Sequence, residues 1–169
     1  MADAPDDSLL PGDIAALARR VVAENVAAGR KVALAESCTG GLVCAAITEI
    51  AGSSAVLDRG FVTYSNAAKR DLLAVPGAII DTCGAVSLET ARAMAQGALR
   101  HSGADVAVAI SGIAGPDGGS AMKPVGTVVF ARAVRGREEA DAEERRLDGS
   151  SRAAVRHQAT LVALALLLP

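Results

Sequence analysis

Three stretches of this chain carry groups that could do chemistry: a hydroxyl in a tight turn, an amine at a helix start and a glycine-dense loop. Ala35-Glu36-Ser37-Cys38-Thr39-Gly40-Gly41 follows the apolar run Val32 to Ala35 and precedes the helix-like run Leu42 to Ile50. Read as strand, turn and helix, it sets Ser37 at the carboxyl end of a strand, beside the unpaired N–H groups of a new helix. N–H groups of Thr39, Gly40 and Gly41 would then be placed to stabilise an oxyanion. The plainer reading is that Ser37 or Thr39 caps the helix. No Gly-Lys-Ser/Thr follows to make a Walker A loop, and neither a Gly-x-Ser-x-Gly elbow nor a Gly-x-Gly-x-x-Gly pattern is present.

A serine nucleophile needs a base, because its hydroxyl is barely ionised at neutral pH. His101 falls at a helix end and His157 within another helix, and neither has the acid and serine neighbours of a triad. Lysine can serve if burial lowers its pKa and leaves it neutral. In Thr63-Tyr64-Ser65-Asn66-Ala67-Ala68-Lys69 the chain leaves a strand and enters a helix, so Tyr64 and Lys69 could face one pocket mouth. The competing reading puts Lys69 and Arg70 on a solvated helix face. Ser120 to Lys123 spells Ser-x-x-Lys but lies between Gly119 and Pro124 rather than on a helix, and reads as chance. Ser111-Gly112-Ile113-Ala114-Gly115-Pro116-Asp117-Gly118-Gly119 directly follows an apolar run, and its backbone N–H groups could approach a ligand closely.

The elements that must hold these stretches follow from periodicity. Asp13 to Ala28 repeats apolar residues at helical spacing, with Asp13 as cap and Gly29 as stop. Val32 to Ala35 reads as a buried strand and Gly40 to Ile50 as a helix ended by Gly52. Val56 to Tyr64 is a second strand, Asn66 to Leu73 a helix closed by Pro76, and Ile79 and Ile80 a brief extended piece. Ser87 caps a helix over Glu89 to Leu99, and Val106 to Ile110 is apolar enough for the middle of a sheet. Val125 to Val134 and Arg137 to Leu147 flank Arg135-Gly136 as an antiparallel hairpin whose charged second strand suits a sheet edge. Ser150 or Ser151 starts the last helix. The order α-β-α-β-α-α-β-β-β-α predicts an α/β fold, a three-layer α/β/α sandwich with a mixed, mostly parallel sheet. Ligands of such sheets sit at the carboxyl ends of strands, here after Ala35 and after Ile110.

Composition narrows the function. At 169 residues the chain fits a single domain over 11–169 behind a flexible tail, 1–10. Hydrophobic residues make up 51% and aromatic ones only 2%, so Ala, Val, Ile and Leu must build the core. A net charge of -2 with so few aromatics leaves neither a basic patch nor a stacking platform, which argues against direct nucleic-acid binding. Cys38, Cys44 and Cys83 have no paired metal spacing and read as reduced thiols inside a cell. No signal peptide is legible in the acidic start, and Leu161 to Leu168 falls far short of the ~20 residues that span a bilayer. A cytoplasmic protein without membrane contact is expected.

Several spaced motifs together resemble the CinA C-terminal domain family. They are Ala35 to Gly41, Gly52-Ser53-Ser54, Gly60 to Asn66 with Lys69, Gly84-Ala85-Val86-Ser87, Ser111 to Gly119, and Lys123-Pro124-Val125-Gly126-Thr127-Val128. The resemblance runs from about Ile14 to the final helix. It implies an α/β/α sandwich, a homodimer or larger homo-oligomer, and hydrolysis of the carboxamide of nicotinamide mononucleotide to nicotinic acid mononucleotide and ammonia. It implies no metal and no organic cofactor. Ser37 matches the family's proposed nucleophile, Lys69 its base and Tyr64 its accompanying tyrosine. For the substrate, the candidate contacts are Thr39, Gly40 and Gly41 of the turn and Ser111, Gly112 and Gly115 of the second loop; the resemblance carries Arg152 over as the phosphate ligand, with Arg59 as a rival and simple surface charge as the plainer reading of each arginine. Many relatives carry a further N-terminal domain that this sequence does not show, so a stand-alone form is expected. The alternative is a non-catalytic nucleotide sensor or protein partner in competence and DNA-damage response.

Overall fold

The computed structural model describes residues 8–169, so residues 1–7 of the expected tail lie outside it. Its order is α1 (Gly12–Ala27), β1 (Val32–Glu36), α2 (Leu42–Thr48), a 3-10 turn (Ser53–Ala55), β2 (Leu57–Val62), α3 (Asn66–Leu73), α4 (Gly77–Cys83), α5 (Leu88–Arg100), β3 (Val106–Gly112), β4 (Thr127–Val134), β5 (Asp141–Arg146) and α6 (Arg152–Leu166). The strands form one mixed sheet in the order β2-β1-β3-β4-β5. β1 pairs in parallel with β2 and β3, while β4 runs antiparallel to both β3 and β5. β4 alone is therefore reversed. β3 is central, as its apolar run predicts, and the charged β5 is an edge.

Alternation along the strands divides the core into two. Val32, Leu34, Val108, Ile110, Val128 and Phe130 join the cluster under α1, α2 and α6. Ala33, Ala35, Ala107, Ala109, Ala131 and Ala133 face α5 and the buried ends of α3 and α4. Strand residues two apart share a face, so the same strands offer large side chains to one layer and alanines to the other. The alanine face lets α5 lie close, with Ala91, Met94, Ala95 and Ala98 fully buried against it.

Three local expectations need correction. Ile79 and Ile80 are helical, not extended: Pro76 sets the entry to α4, and Gly84 N–H closes its end on the Ile80 carbonyl. Their β-branched side chains suggested a strand, but Ile80 at a helical position reaches the α5-side core. Asp13 does not cap α1, which starts at a Pro11 cap; its carboxylate accepts from Ile14 N–H inside the first turn. The hairpin does not turn at Arg135-Gly136 alone, since the register joins Arg132 to Asp141 and leaves 135–140 as the connection.

These layers place the loaded loops. From β1 the chain crosses by α2 to β2 on one side, then returns by α3 to α5 to β3 on the other. The carboxyl end of β1 is thus a topological switch point, the usual crevice for a ligand in an open sheet. Gly97 shows how tightly the second crossover is packed, because a Cβ there would stand 2.1 Å from the Leu73 carbonyl oxygen. Alanine gains about 1 kcal/mol of helix propensity over glycine, but overpacking costs about 1–3 kcal/mol or more. Gly97→Ala is expected to lower the unfolding free energy in urea; a more stable variant would contradict this packing.

Candidate functional site

The last rungs of the sheet hold the turn at Ser37. Ser37 N–H donates to the Ile110 carbonyl at 2.9 Å, and Thr63 N–H donates to the Glu36 carbonyl at 2.8 Å. These bonds extend β1's pairing with β3 and β2 by one step, bringing Ser37 and Thr63 side by side. Alternation then sends the two neighbours apart: Glu36 faces α2, and Ser37 faces α3.

Glu36 explains why neither Ser37 nor Thr39 caps α2. Its carboxylate, with no exposed surface, accepts from the N–H groups of Gly41, Val43 and Cys44 at 2.9, 3.2 and 2.9 Å. Burying a carboxylate is costly, and three charge-assisted bonds at a positive helix start offset that cost. The Cys44 thiol packs beside this carboxylate, and burial first, then Glu36, raises its pKa. Freed from capping, Ser37 points its hydroxyl to Lys69.

Lys69 reaches Ser37 because Ser65 sets the phase of α3. The Ser65 hydroxyl caps the helix by accepting from Ala68 N–H at 3.0 Å, and Lys69 and Leu73, one turn apart, are its buried positions. Lys69 is only 1% exposed. Its Nζ lies 3.0 Å from Ser37 Oγ and donates to the carbonyls of Thr63 at 2.8 Å and Tyr64 at 3.4 Å. No carboxylate forms an ion pair with it among the described residues. Burial therefore lowers its pKa from the ordinary lysine value. The Cys38 thiol would oppose this if ionised, but burial pushes that thiol up to about 11 and keeps it neutral near pH 7.

A cavity of about 190 Å³ opens above the pair, lined by Ser37, Cys38, Tyr64, Lys69, Gly112 and Arg152 among others. Ser111, Ala114, Ala85 and Val86 complete much of its wall. Ser111 Oγ donates to the Ala85 carbonyl at 2.8 Å, so its hydroxyl tethers the opposite loop. Lys123 Nζ holds the same loop through the Val86 carbonyl at 2.6 Å, and the Ser120 hydroxyl accepts from Lys123 N–H. Arg152 Nη1 donates to the Gly115 carbonyl at 2.8 Å and its Nη2 to the Tyr64 hydroxyl at 3.1 Å. Tyr64 thus meets Lys69 through its carbonyl and Arg152 through its phenol.

Other sequence candidates lie elsewhere or are engaged. Arg59 pairs with Asp58 and donates to the His101 carbonyl, outside the cavity. His157 pairs with Asp13 at 2.7 Å on α6. Gly40 N–H donates to the Ser37 carbonyl and Gly41 N–H to Glu36, so neither amide is open to a ligand. Thr39 is fully buried, with its hydroxyl unpartnered, and does not line the cavity. Close packing accounts for two glycines of the second loop: a Cβ on Gly112 would meet Val128 at 2.7 Å, and one on Gly115 would meet Val125 at 2.6 Å. Arg156 was missed; it follows Arg152 by four residues on α6, a spacing that puts both on one helix face. Among the described residues no three His, Cys, Asp or Glu side chains converge as a metal site would need, and no helix is long and apolar enough to cross a membrane.

Fold and site together define an α/β protein with a buried serine–lysine pair at the carboxyl edge of its sheet. The family model described as the CinA C-terminal domain matches residues 14–169, and the chain belongs to that family. It is 55% identical over 138 residues to the nicotinamide-nucleotide amidohydrolase PncC of Enterobacter agglomerans, a match covering 82% of this chain and 83% of the relative. It is 53% identical over 147 residues to the CinA-like protein of Anaeromyxobacter dehalogenans, covering 87% of this chain but only 35% of that longer protein. The chain thus spans about a third of the length of several curated relatives. Among solved structures, the competence/damage inducible protein CihA from Agrobacterium tumefaciens superposes with a TM-score of 0.91 at 52% identity, over 95% of this chain and 96% of that one.

The turn's dependence on Glu36 is measurable. Glu36→Ala strips the acceptor from three amides, and each buried unsatisfied group costs about 1–3 kcal/mol. Urea denaturation should show a loss of about 3 kcal/mol or more, with a smaller loss for Glu36→Gln, which keeps one acceptor oxygen. A change within experimental error in Glu36→Ala would contradict the carboxylate's role.

Proposed function

We propose that this protein hydrolyses the carboxamide of nicotinamide mononucleotide, with Ser37 as nucleophile and Lys69 as base. One observation carries the reading: a lysine nitrogen, buried with no carboxylate paired to it among the described residues, sits 3.0 Å from a serine hydroxyl in the wall of a cavity of about 190 Å³. The high identity to an amidohydrolase named for nicotinamide nucleotide supplies the substrate class.

The hydrogen bonds around Nζ suit the neutral amine. Such an amine has two N–H bonds and one lone pair. The Thr63 and Tyr64 carbonyls take the two protons, and the lone pair is left to accept from the Ser37 hydroxyl. As Oγ bonds to the carboxamide carbon, that proton passes to Lys69 and the carbonyl π pair moves onto oxygen. Ammonia leaves when the lysine proton reaches the amide nitrogen and the C–N bond breaks. Water then repeats the sequence on the acyl-enzyme and releases the acid. Metal and organic cofactor have no step in this scheme.

The cavity is smaller than the ~300 Å³ at which ordinary ligand pockets begin. It takes the pyridinium ring, and ribose and phosphate extend towards the mouth. There Tyr64 offers an aromatic face to the ring's positive charge. Arg152, already oriented by Gly115 and Tyr64, offers its remaining N–H groups to the phosphate. The amides of Gly40 and Gly41 being engaged and Thr39 having no exposed surface, the oxyanion falls to the amide of Cys38, which lines the cavity and donates to nothing among the described residues.

Ser37→Ala is expected to abolish ammonia release from nicotinamide mononucleotide while keeping the thermal transition; near-normal turnover removes the nucleophile assignment. The base must be deprotonated, so kcat should rise with pH through the lowered Lys69 pKa and level off below the 10.5 of ordinary lysine. Lys69→Arg, which stays charged, should lose activity at every pH. A flat pH profile in the native enzyme, or an active arginine variant, would argue against the base role. No ammonia from folded native protein would favour a nucleotide sensor.

A further inference from the structure

The turn that carries Ser37 is held from outside by a second charged group, Arg156 of α6. Its Nε donates to the Cys38 carbonyl and its Nη2 to the Thr39 carbonyl, each at 3.2 Å. Arg156 is half-buried and lies one helical turn from Arg152, which lines the cavity mouth. Glu36 fixes amides at one end of the turn, and Arg156 fixes carbonyls at the other.

The clamp has a consequence for the open amide of Cys38. In a trans peptide the C=O and N–H point in opposite directions. With the Cys38 carbonyl turned to the guanidinium, the Thr39 N–H of the same peptide must turn away from α6. The Ser37 carbonyl, which accepts from Gly40 N–H at 3.0 Å, aims Cys38 N–H out of the turn in the same manner. Both peptides that flank Cys38, which lines the cavity, are thereby held.

Resting on the serine–lysine reading, we propose that Arg156 is a positioning residue for oxyanion stabilisation: by holding the Cys38 and Thr39 carbonyls it fixes the turn so that Cys38 N–H, in the cavity wall, meets the negative charge formed when Ser37 attacks. It touches neither the substrate nor Lys69. Its contribution is made in the transition state, so it belongs in kcat rather than KM.

The test is steady-state ammonia release from nicotinamide mononucleotide by the native protein, Arg156→Ala and Arg156→Lys, with thermal unfolding as a check on folding. Removing a direct oxyanion donor costs about 10²–10³ in kcat. Loss of the group behind it is expected to cost about 10–100-fold, with KM unchanged and the pH limb of kcat unmoved. Arg156→Lys, which keeps the charge but not the paired donors, should recover part of the loss, as should free guanidinium ion added to Arg156→Ala. Unchanged kcat in Arg156→Ala, or a loss carried by KM as for a phosphate ligand, overturns this proposal alone. Should Arg156→Ala not fold, the lysine variant decides by the same split. A native protein that releases no ammonia overturns the serine–lysine reading and this proposal with it.

Discussion

A lysine buried with no counter-ion among the described residues is the constraint on which the rest of this structure turns. Removing an ammonium group from water costs far more than a hydrogen bond returns, unless the group is paired or sheds its proton. Here Lys69 meets two carbonyls and a hydroxyl, partners that a neutral amine satisfies fully with two protons and a lone pair. The same arrangement that lowers the folding penalty of the lysine leaves a base beside Ser37. Stability and the proposed chemistry thus call for one protonation state.

Holding that arrangement falls to the sheet's switch point. The period of two along β1 sends Glu36 to the α2 layer and Ser37 to the α3 layer, so consecutive residues do different work. Glu36 takes over the capping of α2, a task that would otherwise occupy a hydroxyl of the turn. Arg156 comes from α6, in the same layer as α2. Lys69 comes from the opposite layer, with its helix phase set by Ser65. Both helical layers converge on one turn, and the alanine-rich face under α5 allows the second layer to lie close.

Much of this was legible in the sequence, and the remainder was hidden for identifiable reasons. The apolar run at Val106 to Ile110, the charges of β5 and the cap at Ser87 each have a local cause, and the layers and sheet composition follow from them. The dipeptide Ile79-Ile80 misled because β-branching speaks for strand while Pro76 and Gly84 bound a helix. Ser37 and Lys69 could be singled out, but their contact joins residues 32 apart in sequence and depends on α3 entering at the right angle. Glu36 was visible as a residue but not as a cap, since a carboxylate five residues before the amide it binds fits no capping box. The glycines of 112–119 suggested a ligand cradle, whereas close contacts with Val125 and Val128 explain two of them.

Direct titration of Lys69 is the sharpest test, by NMR of its side-chain Cε and Nζ in the native protein against Ser37→Ala. Lys69 is expected to lose its proton below the ordinary lysine value of 10.5, with the change felt at Ser37. A lysine that stays protonated to 10.5 or above would contradict it.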